Sequence, residues 1–168
     1  KEIYLNTLMP TDRISIADAP LVFVGYGVSA PDRQWDDYKG VDLKGKVAVF
    51  LINDPDFDAK PGDSVAGRFG GKKMTYYGRW TYKYEEAARR GAVAALIVHD
   101  TPGASSGWST VVAPGGEAFD IVRDGADKPV PLQGWIAGNA ARVLFAKAGL
   151  SLAHLREQAR RPDFQPVE

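Results

Sequence analysis

Apolar positions fall along the chain in two patterns, continuous short runs and helical spacing. LVFV (Leu21 to Val24) is a continuous run closed by Gly25 and Gly27, and KVAVFLIN (Lys46 to Asn53) is apolar from Val47 to Ile52. Runs of this kind predict strands buried on both faces, as in a parallel sheet. VAALIVHD and VPLQGWIA (Val130 to Ala137) predict two more strands. Between the second and third runs, Tyr84, Ala87, Ala88 and Gly91 recur at i, i+3, i+4 and i+7, a slim helical face able to lie close against a sheet. Thr81 is placed to cap this helix and Gly91 to end it. Glu85–Arg89 and Glu86–Arg90 form i,i+4 pairs on the outer face, each contributing ~0.2–0.5 kcal/mol. Strand, long loop, helix and strand over residues 46 to 99 make a crossover unit, which requires parallel strands.

Beyond residue 100 the pattern is loop-rich, with a short strand predicted at Ser109 to Val112. Asn139 is placed to cap a helix through Lys147 that Gly149 ends. Ser151 caps another, with Leu152, Leu155 and Ala159 on one face and Pro162 as its stop. The loop DPDFDAKPGDSVAGRFGGKK, about 20 residues of glycine, proline and charge, is longer than compact domains carry without a use.

Composition adds limits. A chain of 168 residues with 45% hydrophobic and 25% charged residues is one globular domain with a real core. Zero net charge argues against nucleic acid as a partner. The charge is uneven: residues 68 to 91 carry seven Lys/Arg against two Glu, and 29 to 63 carry eight Asp against five Lys/Arg. This asymmetry points to a docking surface. The absence of cysteine excludes disulfides and thiolate metal sites. No apolar run approaches the ~20 residues of a membrane span, and no signal peptide precedes KEIYLNTLMP, which reads like an excised piece of something longer.

Several motifs match chemistry only in part. GYGVSA follows a strand with dinucleotide-fingerprint spacing, but Pro31 and a polar turn stand where the phosphate-binding helix must begin. GASSG sets Ser105 in a G-x-S-x-G pattern with Asp120 and His154 downstream in hydrolase order, the least favoured functional reading, because GWSTVVAP replaces the required helix. Asp54, Asp56 and Asp58 have calcium-loop spacing, with Ala59 and Val65 at positions that need Gly and Glu, leaving only a non-standard calcium site. FGGKK lacks both the first glycine and the final Ser/Thr of a phosphate loop. His99 and His154 lack metal-ligand spacing. The chain alone contains no catalytic constellation.

What stands out is MTYYGRWTYKYEEAARRGA. Five of nine residues from Tyr76 to Tyr84 are aromatic, with Arg79 and Lys83 among them. Tyr76, Tyr77, Arg79, Trp80, Tyr82 and Lys83 are the candidate substrate- or partner-facing residues, with Arg79 and Trp80 foremost.

Three segments carry a family resemblance: FVGYGVSAPDRQWDDYKGVDLKGKVAVFLINDPDF, MTYYGRWTYKYEEAARRGAVAALIVHD and GWIAGNAARVLFAKAGLSL. Over residues 20 to 165 the chain resembles the protease-associated domain, in the version inserted into bacterial zinc aminopeptidases of the transferrin-receptor and glutamate-carboxypeptidase-like family. The resemblance implies an α/β swivelling β/β/α fold: a mixed sheet with the crossover unit, a second β layer and flanking helices. It implies that residues 20–161 form the domain, while 1–19 and 162–168 link to peptidase segments. It implies a non-catalytic role: zinc and the catalytic residues lie in the flanking peptidase domain, in a periplasmic or secreted protein, and this domain shapes access or contacts peptide or protein. By position, Arg79 and Lys83 match a cleft-facing arginine loop of related members. The alternative is a stand-alone peptide- or glycan-binding module using the same aromatics as a stacking surface.

Overall fold

The computed structural model describes residues 1–113, 115, 119–123 and 125–168. The strands are β1 (Ile3–Asn6), β2 (Leu21–Phe23), β3 (Ser29–Ala30), β4 (Trp35–Asp36), β5 (Val47–Leu51), β6 (Ala94–His99) and β7 (Leu132–Ala137). The helices are α1 (Trp80–Arg89), α2 (Thr101–Ala104), α3 (Trp108–Val111), α4 (Gly138–Lys147) and α5 (Leu152–Gln158). One sheet runs β1-β7-β6-β5-β2, with β2, β5, β6 and β7 mutually parallel and β1 antiparallel to β7. The chain therefore has a mixed sheet flanked by helices, and the second sheet is a two-residue antiparallel ladder of β3 and β4.

Side-chain alternation divides the core between two faces. Val49 and Leu51 of β5 meet Phe145, Leu152 and Leu155 from α4 and α5. Ala48 and Phe50 meet Tyr84 and Ala87 of α1 on the other side. Both faces are covered, which is why the strands read as continuous apolar runs. The crossover from β5 through α1 to a parallel β6 is as the sequence predicts. Gly91 ends α1, its N–H bonding Ala88 O and that of Ala92 bonding Ala87 O, each at 3.0 Å. Ser151 caps α5, accepting from the His154 N–H at 3.3 Å.

Two local expectations are corrected. Ser109 to Val112 is no strand: most of it lies in α3, held where Trp108 Nε1 donates to Lys1 O at 2.8 Å and the indole packs against His99. Asn139 lies inside α4, which starts at Gly138 without a side-chain cap, and its amide donates to Glu2. The segments read as linkers are tied into the sheet. β1 pairs along β7, and Val167 exchanges two backbone bonds with Phe23, at 2.7 and 3.0 Å, while Lys46 pairs with Glu168. The remainder of the region read as a loop, residues 102–129, lies outside the described residues at 114, 116–118 and 124.

Gly27 is dictated by close approach. A Cβ there would lie 2.3 Å from the buried Phe50 ring, and its φ is +65°. We expect Gly27→Ala to destabilise the protein by about 1–3 kcal/mol from overpacking alone, with further backbone strain. Gly62→Ala, at φ +95° with open space around it, should carry only the backbone part. Denaturant midpoints of the two variants check this ordering.

Candidate functional site

The loop between β5 and α1 is built around its aspartates. Asn53 N–H donates to Gly78 O at 3.2 Å, so the ends of the loop meet. Inside it, Asp54 accepts from Thr75 N at 2.7 Å and Thr75 Oγ1 at 2.8 Å. Asp56 accepts from Phe69 N at 2.9 Å and Gly71 N at 3.1 Å, and Asp58 pairs with Lys72 at 3.0 Å. The carboxylates spaced like calcium ligands therefore diverge to separate partners and pin the returning limb of the loop. Among the described residues no three His, Asp or Glu side chains converge on one point. Gly78 sits in a tight part of the loop: a Cβ there would lie 2.8 Å from Met74 Cγ and 2.9 Å from an Asp54 carboxylate oxygen.

The six candidate surface residues separate into three kinds. Tyr76 is 52% exposed, Trp80 is 48% exposed and Arg79 is exposed. Tyr77 is half-buried, its hydroxyl donating to Asp32 at 2.9 Å and its ring lying 5.7 Å from the Arg33 guanidinium. Tyr82 and Lys83 are buried, correcting the expectation that they face a partner. The turn of α1 that carries them faces the body of the protein: the Tyr82 hydroxyl accepts from Ser29 N at 3.0 Å, and Lys83 Nζ donates to Tyr26 O at 2.6 Å, Asn53 O at 3.1 Å and Tyr77 O at 3.3 Å. Tyr76, Tyr77 and Tyr82 pack edge to face, with ring centroids 5.1 to 5.9 Å apart.

The helix begins two residues earlier than its polar pattern suggests. Trp80 is the first helical residue, Arg79 is the N-cap without a side-chain bond, and Thr81 lies inside. Glu86 takes both Arg89 and Arg90, each at 2.8 Å, whereas Glu85 accepts from the Tyr76 hydroxyl at 3.2 Å. The expected Glu85–Arg89 pair is thus replaced by an anchor for the aromatic loop. Beside Trp80 lies a groove of about 590 Å³, with Tyr84, Ala88 and Arg89 on one wall and Ile121, Val122 and Pro129 on the other.

The hydrolase-like residues are each otherwise engaged. Ser105 ends α2 at φ +58°, Asp120 pairs with Arg123 at 3.3 Å, and His154 lies exposed on α5. The sharp strand-to-helix turn that G-x-S-x-G chemistry needs is not what Ser105 occupies. His99 ends β6 with its Nε2 3.0 Å from Ser106 O and its ring against Trp108 and Trp135. After GYGVSA comes a single 3-10 turn, Pro31–Arg33.

No family model and no curated protein matches the chain. Among solved structures it is similar to an aminopeptidase from Aneurinibacillus sp. strain AM-1, with 20% identity and a TM-score of 0.41. The match covers 89% of this chain but 25% of that one, so the chain spans a quarter of the length of the protein it matches.

Two features have no signal in local sequence. A cleft of about 410 Å³ opens at the carboxyl ends of β6 and β7, lined by His99, Arg142, Arg156 and Arg160, with Arg156 and Asp100 paired at 2.6 Å. Behind the aromatic loop lies a second buried charge. Asp37 accepts from Val28 N at 2.9 Å and Trp35 Nε1 at 2.8 Å. Burial raises its carboxyl to about 7, against the two hydrogen bonds and the charges of Lys83 and Lys39. Burial likewise lowers Lys83 to about 8, with Asp54 and Asp37 opposing. Burial raises Asp54, against its bonds from Thr75 and the charge of Lys83.

A carboxyl raised on folding contributes stability that is fully present below its unfolded value, near 3.8, and is lost as pH rises through about 7. Asn at this position cannot titrate. The stability advantage of wild type over Asp37→Asn should therefore shrink from pH 5 to pH 8. Unfolding midpoints across that range measure it, and an advantage that stays constant or grows with pH contradicts the assignment.

Proposed function

We propose that this chain is a non-catalytic recognition domain of the protease-associated type, carried by a zinc-dependent aminopeptidase, and that it presents Tyr76, Arg79 and Trp80 to peptide substrate or to the neighbouring peptidase domain. The observation that carries the reading is the half-exposed pair Tyr76 and Trp80 flanking the exposed Arg79, where a loop with a hydrogen-bonded interior enters α1. Rigid aromatic side chains beside an arginine are the residues that concentrate binding energy at interfaces. The segments quoted above support the family, and residues 20–161 form its domain in this reading. The zinc and the catalytic groups belong to the flanking peptidase domain, in a periplasmic or secreted protein. A second reading, a free-standing peptide or glycan module, draws on the same two exposed rings as a stacking surface.

In the full-length peptidase, Arg79→Ala and Trp80→Ala should each lower kcat/KM for peptides by about 5- to 30-fold, the effect of losing 1–2 kcal/mol of contact. Values unchanged across a peptide series would sink the cleft-facing role. Trp fluorescence of the chain alone, titrated with peptides and oligosaccharides, separates the second reading: saturable binding without the peptidase favours the free-standing module.

A further inference from the structure

Lys83 lies in the first half of α1 with no solvent exposure. Its ammonium has three protons, and three backbone carbonyls converge on it. Those carbonyls belong to three segments far apart in the chain: Tyr26 in the turn after β2, Asn53 just past β5, and Tyr77 in the aromatic loop. Asn53 and Tyr77 stand on opposite limbs of one loop, at the neck where Asn53 N–H meets Gly78 O at 3.2 Å. The charges of Asp54 on the outgoing limb and Asp37 after β4 oppose the effect of burial on the ammonium. Asp54 also grips Thr75 on the returning limb. The neck therefore has one bond between its limbs, one carboxylate clasp, and one cation that binds both limbs and the adjoining turn.

We propose that Lys83 is the positioning residue of the Tyr76–Trp80 surface, its ammonium clamping the neck of the 53–78 loop against the turn after β2. This rests on the reading of that surface as the recognition site, and it adds which buried group sets the site's geometry. A neutral side chain of the same size that ends in one hydroxyl leaves at least two of the three inward carbonyls short of donors, and bonds from a charged donor are the stronger kind. The bonds of Thr75 N–H to Asp54, Gly78 N–H to Thr75 O and Arg79 N–H to Tyr76 O join loop residues to one another and not to the sheet, so the clamp governs them without governing the sheet.

The chain has no cysteine, so Lys83→Cys carries a single thiol that can be alkylated in denaturant before refolding. Aminoethylation restores an ammonium at lysine's length, and hydroxyethylation gives a neutral side chain of matching size. Amide hydrogen exchange is then compared at Asn53, Thr75, Gly78 and Arg79, with β6 amides as reference. The hydroxyethylated protein should exchange at least about tenfold faster in the loop with β6 unchanged, and the aminoethylated protein should match wild type. Equal loop protection in the two proteins overturns the proposal. So does loss of β6 protection together with the loop, or failure of the hydroxyethylated protein to fold, because Lys83 would then support the whole core. Peptide hydrolysis by the full-length peptidase keeps the two claims apart: a protected loop together with kcat/KM unchanged by Arg79→Ala and Trp80→Ala refutes the recognition reading and leaves the clamp intact.

Discussion

An ammonium group taken out of water costs several kcal/mol before it gains any contact. Lys83 sits where that cost is offset by three carbonyl oxygens and two nearby carboxylates. None of these partners is adjacent to Lys83 in sequence, and each belongs to a segment with little regular structure of its own. The turn after β2, the end of β5 and the loop before α1 must all be in place for the lysine to be buried. Conversely, the lysine defines where those segments meet. The Trp35–Asp37 contact and the Asp54–Thr75 clasp surround this point, so a polar cluster lies beneath the exposed rings.

The acidic half of the chain acquires a meaning from this arrangement. Read linearly, DPDFD is a cluster of charges that must be solvated or neutralised. In three dimensions its carboxylates serve as acceptors for the loop's own N–H groups and for Thr75 and Lys72. A long irregular loop needs partners for its backbone donors, and side-chain carboxylates supply them here. Rigidity of this kind is what a recognition surface on a loop requires, since ordering it on binding would cost affinity.

The sheet and its crossover were legible because burial on both faces writes itself as runs such as VAVFLI and AALIV, and because Gly91 and Ser151 act locally. On α1 the Tyr84, Ala87 and Ala88 face was legible, but the burial of Tyr82 and Lys83 beside it was not. Tyr82, Lys83 and Tyr84 are consecutive and all buried, a width no slim apolar stripe predicts, because two of the three carbonyls that satisfy Lys83 are distant in sequence. The positions of Tyr76 and Trp80 at the surface agree with a loop reading, but Tyr77 turns half inward to meet Asp32 and Arg33, a contact no local pattern encodes. The pairing of the terminal segments was not legible for a similar reason: β1 and Val167 are held by partners more than a hundred residues away.

If a charged lysine without solvent contact organises the region beneath the aromatic surface, nitrogen-edited NMR of its side-chain ammonium will show it. At neutral pH the account predicts a Lys83 ammonium signal shielded from solvent exchange, with through-space connections to the backbones of Tyr26, Asn53 and Tyr77. An ammonium that exchanges as fast as those of exposed lysines, or one without those connections, would contradict it.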